Sequence, residues 1–79
     1  MAKATHTLQY FFEAVNVRGE RKRFSASKVI DIASWDEPRD AAIFFVMNED
    51  IPSLDGWHLT APRDIQVWNV VPLSDTGMA

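Results

Sequence analysis

The sequence predicts a two-layer α+β domain of form ββαββ, an antiparallel sheet of about four strands with one helix packed on one face. Three observations lead there. The stretch 34–48 opens with a helix-start signal and continues into an apolar run. Two segments before it and two after it are rich in β-branched and aromatic residues. Turn signals at Arg18-Gly19-Glu20 and Pro62-Arg63 join those segments in pairs.

The first strand is Thr7 to Val17, with Leu8, Tyr10, Phe12 and Ala14 on one face and Phe11, Val15 and Val17 on the other. Apolar residues on both faces suit a strand inside the sheet. Gly19 supplies the positive φ of the turn that follows. In the return segment 21–33, alternation puts Phe24, Ala26, Ile30 and Ile32 on one face. A helical pattern through Ala26, Val29, Ile30 and Ala33 competes, but the cap signal at Ser34 needs a non-helical residue before it.

In the helix, Ser34 and Glu37 have capping-box spacing, Asp36, Glu37 and Asp40 suit the positive end of the dipole, and Pro38 is tolerated only in the first turn. Trp35, Pro38, Ala42, Phe45 and Val46 form the stripe expected to face the sheet. Ile43, Phe44 and Met47 fall on the polar side, so either Ile51, Leu54 and Trp57 fold back over them or they form an exposed patch. Residues 49–56 read as a connector with an Asp-Gly turn. Strands at 57–61 and 65–71 follow, and a tight Pro62-Arg63 turn would set Trp57 opposite Trp68. Pro72 is expected to stop the last strand.

The 79 residues make one domain, 1–79, with 1–6 and 74–79 expected to fray. There is no cysteine, so disulfides and thiolate metal sites are excluded. No apolar run reaches the roughly eighteen residues of a membrane span or the length of a signal-peptide core, and a cytoplasmic protein is expected. Residues 1–28 hold six of the eight Lys and Arg and only two acids, whereas 29–79 hold two cations and nine acids. Such asymmetry points to a charged partner or to two charged faces that pair within the fold.

Catalytic patterns are missing. His6 and His58 are far apart and suit a solvated terminus and a strand surface. The serines lack a nucleophile context, the acid pairs are chain neighbours, and the three glycines are isolated, so no enzyme, metal or cofactor is expected. Two patches remain. The first is the acidic, apolar helix surface of Asp36, Glu37, Asp40, Ile43, Phe44, Met47, Glu49 and Asp50, which suits a partner protein with a basic surface. The second is the basic hairpin of Arg18, Arg21, Lys22 and Arg23, which could contact phosphates, although the acidic whole favours a protein partner over nucleic acid. A homodimer sealing the helix end is a third reading.

In its small size, acidity, lack of cysteine and hairpin-plus-helix pattern, the chain resembles small phage or mobile-element accessory proteins, including anti-CRISPR inhibitors. The resemblance is one of class and rests on no motif. It implies a small non-catalytic inhibitor that occupies a basic site on a larger partner.

Overall fold

A computed structural model describes residues 4–60 and 64–73. It shows a four-stranded antiparallel sheet with one helix packed on one face, in the order ββαββ. Strand β1, His6–Asn16, is central. Strand β2, Arg21–Ile30, lies along one side of it, with Tyr10 opposite Ala26 and Phe12 opposite Phe24. The side chains of Leu8, Tyr10, Phe12 and Ala14 all point under the helix and are at most 2% exposed, as the alternation predicts. Gly19 sits in the turn at φ +84°. The Asn16 carbonyl oxygen of the side chain accepts from the amides of Arg18 and Glu20, which ties the turn down.

The other side of β1 corrects one expectation. Strand β3, Trp57–Leu59, and strand β4, Gln66–Pro72, pair with β1 end to end. Trp57 faces Asn16 across the ladder, and Trp68 sits in a bulge between the partners of Gln9 and Tyr10, so the two tryptophans are not a cross-strand pair. The reason is length: an eleven-residue β1 accommodates a three-residue and a seven-residue strand along one edge. The Pro62-Arg63 turn and the expected fraying of 74–79 lie outside the described residues.

Two more strand boundaries differ from expectation. Strand β4 ends at Pro72, which is itself the last paired residue, opposite His6, one position beyond the expected end at Val71. The Leu73 amide donates to the Thr5 carbonyl at 2.9 Å. Proline fits there because β4 is an edge strand and uses only one side of its backbone. At the same end Thr5, where fraying is expected, donates its amide to Ile30 at 2.8 Å.

The helix begins at Pro38 rather than beside Ser34. Glu37 is the cap residue, and its amide donates to the Asp40 carboxylate at 3.1 Å. Ser34 belongs instead to a 3₁₀ turn, Ile32–Ser34, capped by Asp31, whose carboxylate accepts from the Ala33 amide and the Ser34 hydroxyl. Trp35 is extended, so it lies ahead of the helix rather than in its stripe.

Helix α1, Pro38–Phe45, then continues where a connector is expected. It widens into a π turn, Val46–Asp50, and closes with a last turn, Ile51–Ser53. Pro52 explains the widening: in a regular α-helix its ring would strike the carbonyl four residues back, and it has no amide to donate. The Ile51 amide bonds to Val46 instead, and the Asn48 side-chain amide donates to the Phe44 carbonyl at 2.8 Å. Ala41, Ala42 and Val46 are fully buried against the sheet. Ile43, expected on the polar side, packs against this core, as do Ile51 and Leu54.

Candidate functional site

The two ends of the helix are fixed to the sheet by different chemistry. At its start, the Arg39 Nε donates to the carbonyl of Ile65 at 3.0 Å, where the chain enters β4. At its end, Asp50 points down to the sheet and accepts from the hydroxyl of Tyr10. Lys28 of β2 adds a second contact, with Nζ 2.9 Å from the Glu49 carboxylate and 4.0 Å from Asp50. Part of the charge asymmetry in the sequence is therefore neutralised inside the fold, strand cation against helix acid.

This cluster perturbs its own members. Burial first, then the bond to Asp50 and the charges of Asp50 and Glu49, push the Tyr10 hydroxyl far above its ordinary pKa of 10.0. Lys28 is also raised, chiefly by its bond to Glu49, with the Asp50 and Glu49 charges adding and desolvation opposing. Tyr10 and Lys28 therefore hold their protons at neutral pH. The Asp50 side chain is only 16% exposed, and its role is to hold the helix end rather than to face a partner. A buried tyrosine on a central strand needs a partner for its hydroxyl, which was the one available sign of this contact in the sequence.

The outer surface of the helix gathers most of the remaining acidic and apolar residues. Asp36, Glu37, Asp40, Phe44, Met47 and Glu49 are exposed, whereas Ile43 is half-buried. Phe44 is 46% and Met47 52% exposed. The Phe44 ring rests on Trp35 at 5.5 Å and on Phe45 at 5.6 Å, while Ile51 and Leu54 go to the core, so the apolar helix end is a surface patch rather than a covered one. Asp40, Phe44 and Met47 recur at three to four residues and so share one stripe, whereas Glu37, the extended cap residue, lies beside Val67 and Val70 of β4.

The basic hairpin is divided. Arg21 bonds to Glu13 at 3.2 Å, and Lys22 sits over Phe24 at 5.4 Å from the ring centre. The Arg23 guanidinium lies 4.7 Å from the centre of the Phe11 ring, on the sheet face opposite the helix. Arg18 is exposed in the turn. His58 is exposed on β3, and the His6 Nδ1 is 2.8 Å from the Thr5 hydroxyl. Among the described residues no three His, Asp or Glu side chains come together as a metal would require, and no helix is long and apolar enough to cross a membrane.

Comparison with protein-family models, with curated proteins and with solved structures finds no match for this chain.

Proposed function

We propose that the chain is a non-catalytic protein-binding module that docks on a basic protein surface through the outer face of its helix. The observation that carries this reading is the exposed residues Phe44 and Met47, half out of the protein and at helical spacing from the exposed Asp40. Half-exposed aromatic and methionine side chains are what interface centres are built from. The surrounding carboxylates give long-range attraction to cations and repel acidic competitors. Glu49 and Asp50 take no direct part, because Lys28 and Tyr10 occupy them. In its most specific form this is a small cytoplasmic inhibitor, of the kind phage and mobile elements encode, that covers a basic groove its partner uses for nucleic acid.

Affinity capture with three tagged chains tests it: wild type, Phe44→Ser with Met47→Ser, and Asp36→Asn with Glu37→Gln and Asp40→Asn. A specific partner retained by wild type and lost by both variants is the expected result, with the acid variant rescued in part at low salt. Capture that ignores both variants overturns it. So does light scattering that shows a dimer dissolved by Phe44→Ser, because the patch is then occupied by a second copy.

A further inference from the structure

We propose that the face of the sheet opposite the helix binds single-stranded nucleic acid, with bases stacked on Trp68 and on the Phe11–Arg23 pair and phosphates held by the hairpin cations. This surface is separate from the helix patch, and other observations carry it.

The bulge in β4 comes first. Gln9 pairs with Asn69 and Tyr10 with Val67, so Trp68 is the extra residue. Val67 and Val70 stay against the core, and Trp68 is turned out to solvent, 57% exposed. A bulge re-aims a side chain in this way, and an indole left in water offers a large flat surface. Beside it the strands present small residues. Ser25 and Ser27 of β2 and Gln9 of β1 border an open hollow of about 320 Å³ against the indole.

The second platform lies along β1. Phe11 faces the same side as Gln9, with Ser25 and Gln66 as its cross-strand neighbours. The Arg23 guanidinium stacks 4.7 Å from its centre, and among the described residues Arg23 makes no ion pair. A flat, delocalised cation on a ring is itself a stacking surface for a base. The two acids nearby are already engaged: Glu13 bonds to Arg21, and Asp64 accepts from the Thr60 hydroxyl. Asn69 and Gln9 hydrogen-bond to each other at 2.8 Å, which keeps two amides side by side between the platforms where base edges would lie.

Charge favours a phosphate backbone despite the acidic whole. Arg18, Arg21 and Arg23 stand at the hairpin end of this ribbon, with Glu13 bonded to Arg21 and Glu20 to Asn16, while Lys22 alternates to the helix side beside Phe24. Asp36, Glu37, Asp40 and Glu49 belong to the other layer. Layers of a domain stand on the order of 10 Å apart, about one screening length at physiological salt, so the helix acids weaken this site little. Stacking needs exposed base faces, and a duplex hides them, so the preference is for single strands.

The test is fluorescence anisotropy of labelled oligonucleotides of about sixteen thymidines or uridines, with a duplex of the same length for comparison. Both single strands are expected to bind the full chain more tightly than the duplex. The affinity should fall with salt by a log–log slope of about −0.7 for each phosphate neutralised, and Arg23→Gln should flatten that slope by about one contact. Trp68→Ala should weaken binding by about five- to a hundred-fold, which is the range for losing one stacked base. Trp68 is exposed, and circular dichroism of the variant checks that the sheet is intact. The proposal is overturned by absence of binding below about 50 mM salt, by equal affinity for duplex, or by binding that Trp68→Ala leaves unchanged. The helix variants Phe44→Ser and Met47→Ser are expected to leave oligonucleotide affinity unchanged, which separates this surface from the one proposed above.

Discussion

The Tyr10 hydroxyl, on the buried face of the central strand, donates to the carboxylate of Asp50, forty positions later at the end of the helix. This bond joins the two layers at a point where each polar group is withdrawn from water. Tyr10 is fully buried, and the Asp50 side chain nearly so. Burying such groups is costly unless they meet a partner, so the contact specifies where the helix end must lie.

Removing the hydroxyl should be felt strongly for so small a change. Tyr10→Phe keeps the ring but leaves Asp50 with Lys28 at 4.0 Å as its remaining neighbour. The expected loss is about 1–3 kcal/mol, the usual cost of stranding a buried acceptor. In a domain of this size that lowers the melting temperature by roughly 4–8 °C per kcal/mol. A urea melt in which the variant matches wild type would show that Asp50 is satisfied by water.

The same cluster sets an alkaline limit. Both Tyr10 and Lys28 have pKa values raised by folding, from ordinary values of 10.0 and 10.5. A raised folded value means that the folded state keeps its protons longer than the unfolded one. Stability is thus full below pH 10.0 and declines as pH climbs past it, since the unfolded chain then releases protons the folded chain retains. Urea midpoints measured on either side of that value should show the decline, and Tyr10→Phe should make it shallower. A flat profile up to the highest pH that keeps the chain intact would contradict the assignment.

Close approach of helix to sheet is set by Ala41 and Ala42, both fully buried. Ala42→Leu should therefore cost about 1–3 kcal/mol by overpacking, although leucine is an excellent helix former. Met47→Ser, at a site 52% exposed, should stay within about 0.5 kcal/mol of wild type. Chemical denaturation of the two variants side by side checks both numbers. An Ala42→Leu chain as stable as wild type would mean that the layers can separate freely.

Gly19 and Gly56 hold φ values of +84° and +86°, with no atom within 4 Å of where a Cβ would sit. Space is available, so any cost of Gly→Ala comes from backbone conformation alone. About 1–2 kcal/mol is expected for each, and the two should add, because the turns are separate. Replacement by asparagine, which tolerates this region better, should recover part of the loss.

Much of the architecture was legible in the residues. The alternation of Leu8, Tyr10, Phe12 and Ala14 shows which face of the first strand is buried, and burial follows it residue by residue. The Gly19 turn and the helix start near Pro38 are equally local signals. Of the acidic helix surface, Asp36, Glu37, Asp40, Phe44, Met47 and Glu49 lie outside as expected. Asp50 does not, because a π turn shifts the face that each later residue presents, and Ile43, which precedes that turn, packs against the core. The expected pairing of Trp57 with Trp68 failed for a different reason: β3 and β4 each pair with β1 and not with each other, and no local pattern registers that.

By itself, then, the chain determined a two-layer α+β fold, the inner face of its central strand and the turns that carry glycine, since each depends on residues a few positions apart. The tertiary structure alone decided that β3 and β4 share one edge of β1, that the helix runs through Pro52, and that Asp50 is joined to Tyr10. Those outcomes depend on which distant groups meet once the layers close. A buried hydroxyl or an unpaired strand edge takes the partner that geometry brings to it, and no local pattern records which one that is.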